Sequence, residues 1–183
     1  MPPTRKYEAD GGPGMRQVLD LLKGSDQAQT DQRLFLKAQI VFWLLGATDG
    51  HAKNFSVFLQ PGGRFRLTPL YDVMSAEPAT DAGQLRKNKM KLAMAVGENR
   101  HYVIDRITAR HFLQTAARSG VPESAVQTIF NELLDAEENA IGQVLNNLPG
   151  DFPQQLAASI AGGLRTRLKL LERVATAKGR GVR

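Results

Sequence analysis

Six consecutive apolar residues, Ile40–Leu45, close a segment whose charged residues all come earlier, and this asymmetry constrains the fold most. The pattern predicts a helix over Asp31–Leu45, with Thr30 or Asp31 as N-cap and Gly46 as its stop. Its second half is apolar on every side, so it must run through the middle of the molecule. A chain of 183 residues with 42% hydrophobic content can surround such a helix as one domain, but hardly as two. The run is far shorter than the roughly 20 residues that span a bilayer. Met1-Pro2-Pro3-Thr4-Arg5-Lys6 leads into no apolar stretch of the secretory kind. The chain has no cysteine, which excludes disulfides and thiolate chemistry and fits a cytoplasmic protein.

Around that helix the sequence predicts a mainly α fold with one small β-hairpin. Residues 1–14 end in Asp10-Gly11-Gly12-Pro13-Gly14, a turn-rich stretch without periodicity. A short helix is expected over Met15–Leu22, closed by Gly24. Phe55–Gln60 and Arg64–Thr68 read as two strands joined by Pro61-Gly62-Gly63. Residues 75–90 read as irregular, with a short strand at Lys91–Val96. Helices are expected over Thr108–Ser119, Pro122–Asn147 and Phe152–Ala177. In the last, Leu156, Ile160, Leu164, Leu168, Leu171 and Ala175 form one apolar stripe.

The chemistry gathers at the hairpin. With its turn at Pro61–Gly63, the open end brings Asn54 opposite Tyr71 and Asp72, while Asp49 lies on the loop entering the same end. Asp49, His51, Lys53, Asn54 and Asp72 should then lie within about 10 Å, given a strand spacing of roughly 5 Å. Phosphoryl transfer uses groups of these kinds. One carboxylate orients the attacking hydroxyl and accepts its proton, and an amide oxygen with a second carboxylate holds Mg²⁺. A lysine adds a point cation. Asp49-Gly50-His51-Ala52-Lys53-Asn54 has the spacing of a protein-kinase catalytic loop, and Asp72 follows across a short β excursion. A metal-hydrolase site of Asp49, His51 and Asp72 is the competing reading, but it leaves Asn54 and Lys53 without a task.

The string F-W-L-L-G-A-T-D-G-H-A-K-N-F-S (Phe42–Ser56), then L-T-P-L-Y-D-V (Leu67–Val73), resembles the signature of the HipA family of bacterial toxin kinases. K-Y-E-A-D-G-G-P-G (Lys6–Gly14) and K-L-A-M (Lys91–Met94) are similar to it too. The resemblance implies the helical C-lobe of a HipA-type serine/threonine protein kinase over residues 1–183. It makes Asp49 the catalytic base. His51, Ala52, Lys53, Asn54, Tyr71 and Asp72 become the nucleotide site, with Asn54 and Asp72 as metal ligands and ATP and Mg²⁺ as cofactors. Tyr71 could instead plug the core, and Lys53 could be plain surface. Asp72 is followed by Val73-Met74 rather than Phe-Gly, a departure from ordinary kinases that the family shares.

The family's N-terminal lobe, with its glycine-rich phosphate loop, lysine and adenine-binding hinge, has no counterpart in these residues. Asp10–Gly14 lacks the strand before it and the lysine after it that a phosphate loop needs. The chain is therefore expected to be a fragment, a truncated product or one piece of a split kinase, and alone to bind ATP poorly. The resemblance further implies a HipB-like DNA-binding antitoxin as partner and a translation-linked protein substrate such as an aminoacyl-tRNA synthetase. Net charge is +6, with basic residues gathered at Arg86–Lys91 and from Arg165 to Arg183. Arg165, Lys169 and Arg173 would form one cationic helix stripe. This leaves a second reading, a catalytically incompetent module that docks the antitoxin or DNA.

Overall fold

The computed structural model describes residues 5–179. Helix α1 (Met15–Leu22) starts where Gln17 Oε1 accepts the backbone N–H of Gly14 at 2.7 Å, and it buries Met15, Leu19 and Leu22 on one face. Helix α2 (Ala28–Leu45) begins three residues before Asp31, so Asp31 is not the N-cap the sequence suggested. Its buried carboxylate instead accepts the backbone N–H of Leu67 at 2.7 Å and the hydroxyl of Ser25. A buried acid with such donors ties the central helix to the hairpin. Phe35, Leu36, Ile40, Phe42, Trp43 and Leu44 are buried, with only Val41 and Leu45 at the margin, as the apolar run demanded. Gly46 ends the helix with φ 65°, a conformation that glycine adopts without Cβ strain.

Strands β1 (Val57–Leu59) and β2 (Phe65–Leu67) pair antiparallel, with Val57 opposite Leu67 and Leu59 opposite Phe65. Gly62 and Gly63 both take positive φ in the connecting turn, as a tight reversal requires. The expected irregular stretch after it contains a short helix, α3 (Glu77–Asp81), which packs on the last helix. A second hairpin, not anticipated, joins β3 (Lys91–Val96) to β4 (His101–Val103). Its first strand is buried along all but Lys91.

Helix α4 (Ala109–Arg118) is capped by His111, whose Nδ1 accepts the Thr108 backbone N–H at 3.1 Å. Beyond it, one expected helix is two. Helix α5 (Glu123–Asp135) follows Pro122 as N-cap, and α6 (Glu137–Asn146) begins after a break at Ala136. Helix α5 packs on both α2 and α7 (Gln154–Gly179), with its Glu132 held by Arg33 and Lys37 of α2, and α6 continues along α7. On α7 the burial concentrates at Ala157, Ala161, Leu168 and Leu171, with the other stripe residues, Leu156, Ile160, Leu164 and Ala175, half-buried.

Arg167, one turn from Leu171, is also buried. It forms an ion pair of 2.6 Å with buried Glu77 of α3, and its Nε donates to the Leu44 carbonyl at the end of α2. Three elements thus converge behind the segment that carries Asp49. Among the described residues, no helix is long and apolar enough to cross a membrane.

Candidate active site

The loop leaving α2 is shaped by what it touches. A Cβ on Gly50 would lie 2.2 Å from Cδ2 of Phe42, so only glycine lets the loop pass over that ring. His51 N–H returns to the Asp49 carbonyl at 2.8 Å, and Ala52–Asn54 form a single 3₁₀ turn. That turn aims the Asn54 side chain inward, where it is 6% exposed.

Asn54 is the hinge pin of the site. Its Nδ2 donates to the Asp49 carbonyl at 2.8 Å and to Oδ2 of Asp72 at 2.9 Å. Both amide protons are used, which leaves the amide oxygen without a partner among the described residues. Asp72 has φ 57°, a left-handed conformation uncommon outside glycine but better tolerated by aspartate than by most residues. Together the Asn54 amide oxygen and the Asp72 carboxylate make a small hard-oxygen pair, a donor set that suits Mg²⁺ when phosphates and waters complete the shell.

Asp49 is half-exposed and heavily contacted through one oxygen. Tyr7 Oη donates to its Oδ1 at 2.5 Å and Lys6 Nζ at 3.2 Å, while His51 Nε2 lies 3.5 Å from the same atom. Burial alone would raise the Asp49 pKa, but the hydrogen bonds from Tyr7 and Lys6 and the nearby His51 outweigh it. The carboxyl is held below its usual range. Lys6 is shifted up by its hydrogen bonds to Tyr7 and Asp49. Tyr7 is shifted up by burial and by the carboxylate beside it. The His51 ring is buried edge-on to Tyr7, with centroids 5.5 Å apart, and its Nδ1 has no partner among the described residues.

The expected cluster is therefore present for Asp49, His51, Asn54 and Asp72. Ala52 packs against the core as part of the 3₁₀ turn. Lys53 is exposed, and the contact it makes at the site is through its carbonyl, which accepts from Tyr71 Oη at 3.4 Å. Tyr71 does not plug the core. It is 40% exposed, with its hydroxyl 2.7 Å from Ser56 Oγ.

Lys6 and Tyr7 belong to the segment that resembles the family, but nothing in the sequence marks them as site residues. They sit more than forty residues from Asp49, and no local spacing connects them. What places them is the clasp that follows. Glu8 accepts the Ala95 N–H at 2.6 Å and pairs with Arg100 at 3.2 Å. Gly12 and Gly14 lie so close to the Tyr7 carbonyl and the Glu8 carboxylate that a Cβ at either would collide. Gly12 and Gly14 thus serve close packing, and Gly11 serves a left-handed turn with φ 87°.

A helical lobe with a β-hairpin that gathers an aspartate, an asparagine and a second aspartate at its mouth defines a kinase-like C-terminal lobe of the HipA type. The model of the family described as "HipA-like C-terminal domain" matches residues 1–141, and the chain belongs to that family. It is 29% identical over 148 residues to the Sinorhizobium fredii protein named "Putative kinase Y4mE", covering 80% of this chain and 33% of that protein. It is 27% identical over 158 residues to the Shewanella oneidensis serine/threonine-protein kinase toxin HipA, covering 80% of this chain and 34% of that one. The chain therefore spans about a third of the length of these curated relatives. Its fold is also that of Shewanella oneidensis HipA in a complex with HipB and operator DNA. The TM-score there is 0.75 at 19% identity, over 95% of this chain and 43% of the other.

Proposed function

We propose that residues 1–183 are the C-terminal catalytic lobe of an ATP-dependent protein serine/threonine kinase, the toxin of a type II toxin–antitoxin pair. The observation that carries this reading is the Asn54 amide, which joins the Asp49 loop to Asp72 while keeping its own oxygen free. In the reaction, Asp49 receives the proton of a substrate serine or threonine hydroxyl. The hydroxyl oxygen bonds to the γ-phosphorus of ATP, the bond to the β–γ bridging oxygen breaks, and ADP leaves. A Mg²⁺ held by Asn54 and Asp72 supplies charge neutralisation at the phosphate oxygens when bound. His51, Ala52, Lys53 and Tyr71 line the nucleotide side, and the exposed Lys53 ammonium is a mobile cation for the phosphates.

Exposed apolar side chains follow Asp72 directly, Val73 and Met74, and β1 exposes Val57 and Leu59 on one face and Phe58 on the other. Exposed apolar side chains beside a site are expected where another protein element covers them, and the relatives' greater length leaves room for a nucleotide-binding half. The HipB and operator DNA in the structural relative support a HipB-like antitoxin and contact with DNA as partners. A translation-linked protein such as an aminoacyl-tRNA synthetase is the proposed substrate. The test is transfer of ³²P from [γ-³²P]ATP to protein by the full polypeptide that carries this chain. Asp49→Asn is expected to abolish it, and transfer that survives the substitution would sink the assignment.

A second reading rests on α7, where Arg165, Lys169 and Arg173 are all exposed on successive turns. Arg180 and Arg183, further along the basic stretch, lie outside the described residues. A lobe inactive in catalysis would then dock DNA or antitoxin through this face. Absence of phosphate transfer, together with DNA retardation that weakens steeply with salt, would favour it.

A further inference from the structure

Two donors point at a single carboxylate oxygen. Tyr7 Oη and Lys6 Nζ donate to Oδ1 of Asp49, and His51 Nε2 stands 3.5 Å away from it. No described residue donates to Oδ2. We infer that Lys6 and Tyr7 are positioning residues: they engage Oδ1, fix the orientation of the Asp49 carboxylate, and leave Oδ2 to take the proton of the attacking hydroxyl. The inference rests on the kinase reading above and adds to it two residues from outside the hairpin.

A carboxylate without such partners rotates about its last torsion, which is broad and roughly two-fold. Either oxygen could then face the substrate, at varying distance. Reaction requires the hydroxyl within about 3–3.5 Å and aligned, and a misplacement of about 1 Å can cost about 100-fold in rate. Donors on Oδ1 make the carboxylate a weaker base. In a loose phosphoryl-transfer transition state that loss matters little, because catalysis there is mostly positioning and electrostatics.

The two donors arrive on a rigid mount. Glu8, the next residue, is fixed to the Ala95 N–H of β3 and to Arg100, and Gly12 and Gly14 pack where no side chain fits. The Tyr7 ring lies against His51, and Lys6 Nζ sits 4.8 Å from the Tyr7 ring centre. Lys6, Tyr7, His51 and Asp49 therefore form one packed unit rather than a loose surface pair.

The experiment is steady-state kinetics of the full polypeptide carrying this chain, with Tyr7→Phe, Lys6→Met, Lys6→Arg and Asp49→Asn. Melting curves identify any variant that is unfolded. Tyr7→Phe keeps the ring and removes only the hydroxyl. It is expected to lower kcat about 10- to 100-fold while leaving KM for ATP within about two-fold. Lys6→Met should lower kcat about 10-fold and Lys6→Arg should restore most of it. Unchanged kcat in folded Tyr7→Phe and Lys6→Met, beside an inactive Asp49→Asn, overturns this inference and spares the kinase reading. A rise in kcat on Tyr7→Phe also overturns it, by making the contact a block. A wild type that transfers no phosphate, or an active Asp49→Asn, overturns both.

Discussion

Gly50 lies flat on the ring of Phe42, so close that a Cβ there would stand 2.2 Å from Cδ2 and 2.4 Å from Cε2. Phe42 is buried at the end of α2, and its ring also packs against Phe55, with centroids 6.0 Å apart. The ring cannot swing away without disturbing the start of the hairpin. One glycine thus sets the height of the loop that carries Asp49 above the central helix.

Gly50→Ala is therefore expected to destabilise the fold by about 1–3 kcal/mol, the usual cost of overpacking a filled interior. Urea denaturation measures it. The control is Gly62→Ala, at a site where a Cβ meets nothing within 4 Å but φ is 79°, which adds backbone strain without overpacking. A Gly50→Ala loss below a few tenths of a kcal/mol would mean that the loop moves freely over Phe42.

Asn54 offers a second test, because its amide protons hold two chain segments at once. Asn54→Asp keeps the size but replaces both donations with an acceptor, facing the Asp49 carbonyl and the Asp72 carboxylate. Without a divalent cation, the loss should be roughly 1–3 kcal/mol, the cost of leaving such groups unsatisfied. Adding Mg²⁺ should return part of that stability, since the substitution adds a negative oxygen to a hard-cation site. Thermal melts with and without Mg²⁺ give the comparison.

The partners of Asn54 show why the site was largely legible in the sequence. Asp49, Asn54 and Asp72 are joined by short connections, so the hairpin brings them near one another, with Gln60 meeting Arg64 at the turn, and the 3₁₀ turn at Asn54 and the left-handed Asp72 complete the contact. The central helix was legible because six apolar residues in a row admit one environment. What escaped was held by distant partners. β4 is three half-buried residues whose pairing depends on the turn after Val96, where Gly97 and Arg100 take positive φ. Asp31 looked like a cap because aspartate before an apolar run usually is one, yet the N–H it serves belongs to Leu67. Tyr7 and Lys6 reach Asp49 only through the clasp that Glu8 makes with β3.

Arg167 and Glu77 are of that distant kind and predict a non-additive pair. Both are buried, 2.6 Å apart, with Arg167 also donating to Leu44. Arg167→Met alone strands a buried carboxylate and should cost about 3–5 kcal/mol. Glu77→Gln with Arg167→Met should cost clearly less than the sum of the two single changes, because no charge is left unpaired. Additive losses in denaturant titrations would show that each group is solvated independently.

The last prediction concerns acid. His111 is 7% exposed, and its ring stacks on His101 with centroids 4.1 Å apart and planes 15° from parallel. Its pKa is lowered from the usual 6.5, first by burial and then by the charges of His101 and Arg110. Geometry gives the same sign: Nδ1 accepts the Thr108 N–H at 3.1 Å, so a proton there would set two donors against each other at the start of α4. A histidine whose folded pKa is depressed contributes stability that is whole above its unfolded value and is lost as the pH falls toward the folded one. Stability should therefore be flat from pH 8 to about 7 and decline below about pH 6.5. His111→Gln, which keeps a side-chain acceptor without the titration, should flatten that decline. Urea midpoints between pH 5 and 8 measure it, and a slope unchanged in His111→Gln would place the acid sensitivity elsewhere.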